Sequence, residues 1–296
     1  MTPRVSIIIP IYNGQLTLAR CLASVITQSY SDFEIITVDN DSTDSTPQIL
    51  KEYQHTDARI KIFLEKERSR GAARATGEKH ALGEIIVMID DDCVAYNDTW
   101  LITLIGPLLQ SDTDIVQGFE TPLEKNFWSE IYQKKVSSKF DKTIIQPKIL
   151  GNIDTKNLAV KKTVLEKVGG SFRKYKNCND LELSIRLAKQ PFRITFEKNA
   201  LVYHKNPGTM WEVIKKQSNQ GYWVSELLKD HSYSNTLTTL KHEKNQTLTS
   251  FFHSIARFIK SIFRESPKIA FFNLITGIAW RAGGLYSHIL RRNERK

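Results

Sequence analysis

The chain has 296 residues, 41% hydrophobic and 25% charged, a balance that excludes disordered, collagen-like and disulfide-scaffold classes and allows one large domain or two small ones. Its three cysteines, Cys21, Cys93 and Cys178, contain no CxxC pair, which argues against a structural zinc site or a disulfide framework. The formal net charge is +10, but residues 241–296 carry eleven Lys/Arg against three Asp/Glu, so the first 240 residues hold only +2 of it. A near-neutral body with a basic tail argues against nucleic-acid binding, which calls for a basic face on the folded module.

The opening MTPRVSIIIPIYNG has an apolar run too short for a secretory signal and broken by Pro10, so a cytosolic body is expected. Residues 5–11 form a continuous β-branched run, the pattern of a strand buried on both faces, and Asn13-Gly14 marks a turn. Helical spacing over 17–28 then gives way to a strand at 34–39. A helix at 46–53, a strand at 60–64, a helix at 71–82 and a strand at 84–90 continue the alternation. Such alternation predicts a parallel sheet covered by helices, with ligands beyond the carboxyl ends of the strands. Further along, a helix at 98–110 and a strand at 114–118 are expected, whereas the polar segment 119–148 matches no period. The pattern resumes with a strand at 157–160 and a helix at 162–168 closed by Gly169-Gly170. A helix from Asp180 with Asn179 as its N-cap, and two short strands at 193–196 and 200–203, complete this part.

Acids follow two of these strands. Asp39 suits a helix cap or Asx turn as well as a ligand contact. Asp90, Asp91 and Asp92 repel one another unless a cation neutralises them, and a set of oxygen donors points to Mn²⁺ or Mg²⁺. Gly71–Gly77 has neither the spacing of a phosphate-binding P-loop nor the Lys-Ser/Thr that must follow its second glycine.

In order, the chain contains IIIPIYNG at 7–14, SVITQSYSDFEIITVDNDSTD at 24–44, RGAARATG at 70–77 and MIDDDC at 88–93. GNIDTKNLAV at 151–160, VGGSF at 168–172, NDLELSIR at 179–186 and LVYH at 201–204 follow. This succession, over about residues 4–225, resembles glycosyltransferase family 2, the inverting GT-A enzymes. The resemblance implies an α/β fold, with a Rossmann-like nucleotide-binding half on a mixed central sheet and a C-terminal helical tail. It implies transfer of a sugar from a nucleotide-diphosphate sugar to a hydroxyl of a glycan or lipid-linked acceptor. By position, Asp39 would bind the nucleobase, Pro10, Tyr12 and Asn13 would line the nucleoside, and Asp91 would face the ribose. Asp90 and Asp92 would hold Mn²⁺ or Mg²⁺, His204 would complete the metal shell, Arg74 would sit near the diphosphate or base, and Asp180 would be the general base. Two departures stand out: Asn40-Asp41 replaces the commoner Asp-Gly, and Asn179-Asp180 replaces Glu-Asp. Transfer to polyprenyl phosphate, and a non-catalytic sugar-nucleotide-binding role, are the alternatives.

Residues 1–240 are therefore expected to form the catalytic domain and 241–296 a basic tail. Phe251, Ile255, Phe258 and Ile262 fall on one helical stripe opposite Arg257, Lys260 and Arg264. The apolar run 269–280 is too short to span a bilayer. The tail thus reads as a peripheral attachment to the anionic inner face of the cell membrane, or as helices that pack on the protein itself.

Overall fold

β1 (Val5–Ile11) is apolar except at Ser6, whose hydroxyl donates to Glu34, because parallel partners flank it on both edges, β2 (Phe33–Asp39) and β4 (Ile85–Ile89), and helices cover both its faces. The computed structural model describes residues 3–110, 113–140, 153–171, 173–174, 177–230 and 267–294. Between and after these strands run α1 (Leu18–Ile26), α2 (Thr46–Thr56), β3 (Ile60–Leu64), α3 (Arg70–His80), β5 (Cys93–Ala95) and α4 (Trp100–Gln110). The chain continues with β6 (Ile115–Pro122), α5 (Phe127–Phe140), β7 (Asn157–Lys161), α6 (Lys162–Val168), α7 (Asn179–Leu187) and β8 (Ile194–His204). Two longer helices, α8 (Met210–Lys229) and α9 (Pro267–Glu294), close it.

The chain divides into two compact units, Met1–Leu123 with Ser137–Lys205, and Glu124–Val136 with Asn206–Lys296. The boundary expected near residue 240 falls outside the described residues. In the first unit one mixed sheet runs in the order β3-β2-β1-β4-β7-β6-β8-β5, parallel from β3 to β4 and antiparallel where β7 joins β4 and β6 and where β5 joins β8. Ile7, Ile9 and Ile11 pack with α1, α2 and α4 on one face, while Ile8 packs with α3, α6 and α7 on the other. The small residues of α3 serve this packing, since a Cβ on Gly77 would lie 2.5 Å from Ile8 Cγ2. Ser69 caps α3 by accepting the Ala72 N–H at 3.4 Å.

Several elements differ from the sequence expectation. The strands expected at 193–196 and 200–203 are one strand, β8, because its register against β6 shifts between Gly118 and Phe119 and carries the polar residues 198–199 past without a partner. A Cβ on Gly118 would collide with Asn157 and with the Ala200 carbonyl, so only glycine fits at the shift. The polar segment that matched no period holds the end of β6 and α5, and the three-residue β5 is too short to leave a pattern. Asn179 does not cap α7 but is its first residue, behind Cys178 in the left-handed conformation at φ 66°. Finally, α9 continues well past the expected run 269–280, while the stripe at 251–262 lies outside the described residues.

In the second unit α8 and α9 touch backbone to backbone. A Cβ on Gly283 would collide with the Ser218 carbonyl, and one on Gly221 with the Trp280 carbonyl. Lys229 Nζ, 2.7 Å from Glu226 Oε1, also donates to the Ser287 carbonyl at 3.1 Å. Gly283→Ala is therefore expected to destabilise the protein by roughly 1–3 kcal/mol, the usual cost of overpacking. Gly277→Ala, where a Cβ meets nothing within 4 Å, should leave urea unfolding unchanged or shift it to higher urea. Equal unfolding midpoints for both variants would contradict the close crossing.

Candidate active site

The carboxyl ends of β1, β2 and β4 bring together the loop 12–15, the segment 39–46 and the acids 90–92. Asn13 takes a positive φ of 52°, its N–H donates to Ser42 Oγ at 2.9 Å, and its Oδ1 accepts from the Thr43 N–H at 2.8 Å. Asp39 closes an Asx turn, with Oδ1 accepting from the Ser42 N–H at 3.0 Å. Asn40, in the position where the resemblance leads one to expect an aspartate, donates to the carbonyls of Glu65 at 2.8 Å and Glu67 at 2.6 Å. It thereby ties the end of β2 to the strand beside it. Tyr12 is exposed, with the Arg68 guanidinium 5.4 Å from its ring centre. Asp91 lies under the loop, close enough that a Cβ on Gly14 would come 2.5 Å from Asp91 Oδ2 and displace that carboxylate. Burial and the neighbouring Asp92 push the Asp91 carboxyl up to about 8.

The three successive acids have different partners. Asp90 is buried, with Oδ1 accepting from Arg74 Nη2 at 2.7 Å and Oδ2 3.6 Å from Arg70 Nη1. Burial opposes its ionisation, but the two guanidinium groups outweigh it and hold the carboxyl below its ordinary range. Asp92 Oδ2 instead lies 3.6 Å from His204 Nε2. The ligand atoms of Asp92, Cys93 and His204 all fall within 4.8 Å of one another. Burial and Asp92 raise the Cys93 thiol well above its ordinary range in the metal-free protein, and hard cations prefer oxygen and imidazole donors to sulfur, so the useful donors are one carboxylate and one imidazole. That donor set fits Mn²⁺, and Mg²⁺ with waters completing its shell. Asp90 and Asp92, expected to act as a ligand pair, are thus turned to different partners.

Arg74 connects these acids to α7. Its Nη1 lies 3.6 Å from Asp180 Oδ1, while its Nη2 holds Asp90. Thr155 Oγ1 donates to Asp180 Oδ1. Desolvation and the nearby Asp154 carboxylate raise the Asp180 carboxyl, with Arg74 and Thr155 opposing them, while the side chain stays 45% exposed. An accessible carboxylate with a raised affinity for protons is suited to general-base work.

The glycosyl transferase family 2 model matches residues 6–169. The chain belongs to glycosyl transferase family 2. It is a glycosyltransferase of that family, whose reaction takes the sugar from a nucleotide sugar. It is similar to glycosyltransferase AglE of Haloferax volcanii, with 28% identity over 225 residues that cover 74% of this chain and 72% of that protein. Against seven further curated glycosyltransferases the matches span 16–39% of the relatives' lengths. The fold is that of a Pyrobaculum calidifontis mannosyltransferase solved with GDP-mannose and Mn²⁺, at a TM-score of 0.68 and 18% identity over 97% of this chain and 88% of that one. S. aureus TarS residues 1–349 with UDP-GlcNAc superpose at a TM-score of 0.55 and 15% identity, over 98% and 92% of the two chains. The GT-A-like α/β architecture expected from sequence is therefore present. Among the described residues no helix is long and apolar enough to cross a membrane.

The expected residues fall into three groups. Tyr12, Asn13, Asp39 and Asp91 gather around the β1 and β2 loops, with Pro10 in β1 paired to Val38. Arg74 holds Asp90 and faces Asp180, and Asp92 faces His204. Sequence reading missed Arg70, Thr155, Glu120 and Lys156. None of the four leaves a local signal, since β6 also carries Gln117 and Thr121 and β7 also carries Asn157 and Lys161.

Proposed function

We propose that the protein is a metal-dependent inverting glycosyltransferase, in which a hydroxyl of a glycan or lipid-linked acceptor attacks the anomeric carbon of a nucleotide-diphosphate sugar. The carrying observation is that Arg74 bridges Asp90, next to Asp92 and its neighbour His204, and Asp180, whose side chain is 45% exposed. In the reaction the bond between acceptor oxygen and anomeric carbon forms, the bond to the diphosphate oxygen breaks, and Asp180 takes the acceptor proton. Asp39, Pro10, Tyr12 and Asn13 bind the nucleoside and Asp91 lies toward the ribose. Asp92 and His204 hold Mn²⁺ or Mg²⁺, which supplies Lewis-acid neutralisation of the diphosphate. Arg74 favours the ionised form of Asp180 against burial and Asp154, and adds positive charge beside the leaving group.

Turnover of UDP-, GDP- and dTDP-sugars with Mn²⁺ or EDTA, in membranes that supply acceptors, tests this reading. One nucleoside diphosphate should be released, only with metal; release that EDTA leaves untouched contradicts the metal role. Thr155→Val provides a pH test. Because the Thr155 hydroxyl stabilises the ionised form of Asp180, its loss raises that pKa, and the acidic limb of kcat/KM moves to higher pH. An unmoved limb would remove Asp180 as the titrating base.

The basic tail supports attachment to the anionic inner face of the cell membrane. On α9, Phe271, Ile278 and Leu285 stand seven residues apart and are 49%, 56% and 64% exposed, with Tyr286 beside them. Apolar side chains at this spacing share one helix face, and the surplus of Lys and Arg over 241–296 suits an anionic leaflet. Phe271→Ser with Leu285→Ser should abolish sedimentation with phosphatidylglycerol vesicles, and undiminished sedimentation would contradict the attachment.

A further inference from the structure

Behind His204 stands a row of buried charges that the proposed chemistry does not use. His204 Nδ1 lies 3.0 Å from Glu120 Oε2, on the side of the ring away from Asp92. Glu120 Oε2 lies 3.1 Å from Lys156 Nζ, and Lys156 is paired with Asp154. The side chains of Glu120 and His204 are each 4% exposed. The sheet explains how they meet: His204 pairs with Pro122 across β6 and β8, so Glu120, two residues earlier, lies on the same face. It does not explain why they are charged. A carboxylate and an ammonium removed from water cost free energy that an apolar pair of similar size would not.

We propose that Glu120, held in place by Lys156, is the positioning residue for His204: its carboxylate, 3.0 Å from Nδ1, favours the tautomer with the proton on Nδ1 and so leaves Nε2 directed toward Asp92 as a cation ligand. This inference rests on the metal reading above and extends it from the ligands to the group that orients them. The physical logic is general. An imidazole has two nitrogens, and the one that ligates is set by the hydrogen bond the other makes. Carboxylate partners of ligating histidines change metal affinity about 10–100-fold when removed. The register shift at Gly118 gives this role a structural origin, since it sets which β6 residue lies diagonal to His204. Lys156 follows Thr155 directly, so one short segment supports both the proposed base and the proposed ligand.

The test uses the full chain and Mn²⁺ alone, titrated without donor and followed by electron paramagnetic resonance of the free ion. Glu120→Met with Lys156→Met removes both buried charges together and leaves Asp154, whose side chain is 23% exposed to water, without its lysine; Glu120→Gln keeps an acceptor oxygen at the same place. The double variant should bind Mn²⁺ about 10–100-fold more weakly, and Glu120→Gln should recover most of the loss. In the Mg²⁺-loaded wild type, ¹⁵N spectra should show the His204 proton on Nδ1. Wild-type affinity in the double variant, with affinity lost in Asp92→Asn, overturns the positioning role and leaves the metal site standing. Wild-type affinity in Asp92→Asn and His204→Ala overturns the metal reading itself. A proton on Nε2 in the loaded protein also overturns the assignment.

Discussion

Replacing Asp180 with asparagine is expected to lower kcat by about 10²–10⁴-fold, the range a positioned general base supplies, with donor affinity within a few-fold of wild type. Asparagine keeps the shape of the side chain and an oxygen that can accept from Thr155. What it loses is the ability to take a proton. Arg74 retains Asp90 at 2.7 Å, so the donor side of the site stays assembled. Single-turnover rates give the first quantity, and calorimetric titration of the nucleoside diphosphate with Mn²⁺ gives the second. A variant with wild-type kcat would remove Asp180 from the chemistry, and one that loses rate and donor binding together would make it a structural residue.

Asp92→Ala and Asp90→Asn are expected to fail in opposite ways. Asp92 faces His204 and has a partly exposed side chain, so its loss should remove a metal ligand at little cost to the fold. Metal-dependent donor binding should fall by several kcal/mol, roughly 10²–10⁴-fold, with the unfolding midpoint nearly unchanged. Asp90 balances Arg74, whose side chain is only 2% exposed. Removing one partner of a buried ion pair strands the other and costs about 3–5 kcal/mol of stability. Asp90→Asn should therefore lower the unfolding midpoint sharply while the folded fraction still binds Mn²⁺. Donor titration with Mn²⁺ or EDTA, beside urea unfolding of each variant, separates the two. Equal loss of metal binding in both would restore Asp90 and Asp92 as a ligand pair.

The parallel half was legible because its strands are buried on both faces, which makes 5–11, 34–39 and 84–90 mostly apolar and rich in β-branched residues. The acids after those strands were legible for a related reason, since carboxylates at buried strand ends need partners. Beyond residue 118 the signal weakens for identifiable causes. The register shift at Gly118/Phe119 interrupts the alternation of β8; earlier in the chain, three residues are too few for β5 to show a period. Asp90, Asp91 and Asp92 look alike in sequence, but they lie in a turn closed by the Cys93 N–H on the Asp90 carbonyl at 3.0 Å, which sends their side chains in different directions. Their partners, Arg74, the Gly14 loop and His204, come from three separate elements. Glu120 and Thr155 were missed because their importance lies in long-range contacts, 84 and 25 residues away along the chain, that no local pattern encodes.

The stereochemistry of transfer tests the central claim most directly. With the donor named by the nucleotide-sugar panel, the anomeric coupling constant of the transferred sugar, read by proton NMR on the first product formed, reports the course of the reaction. A single displacement with Asp180 as base predicts inversion relative to the donor. Retention of the donor's configuration would require a different arrangement of groups around the anomeric carbon and would contradict the account.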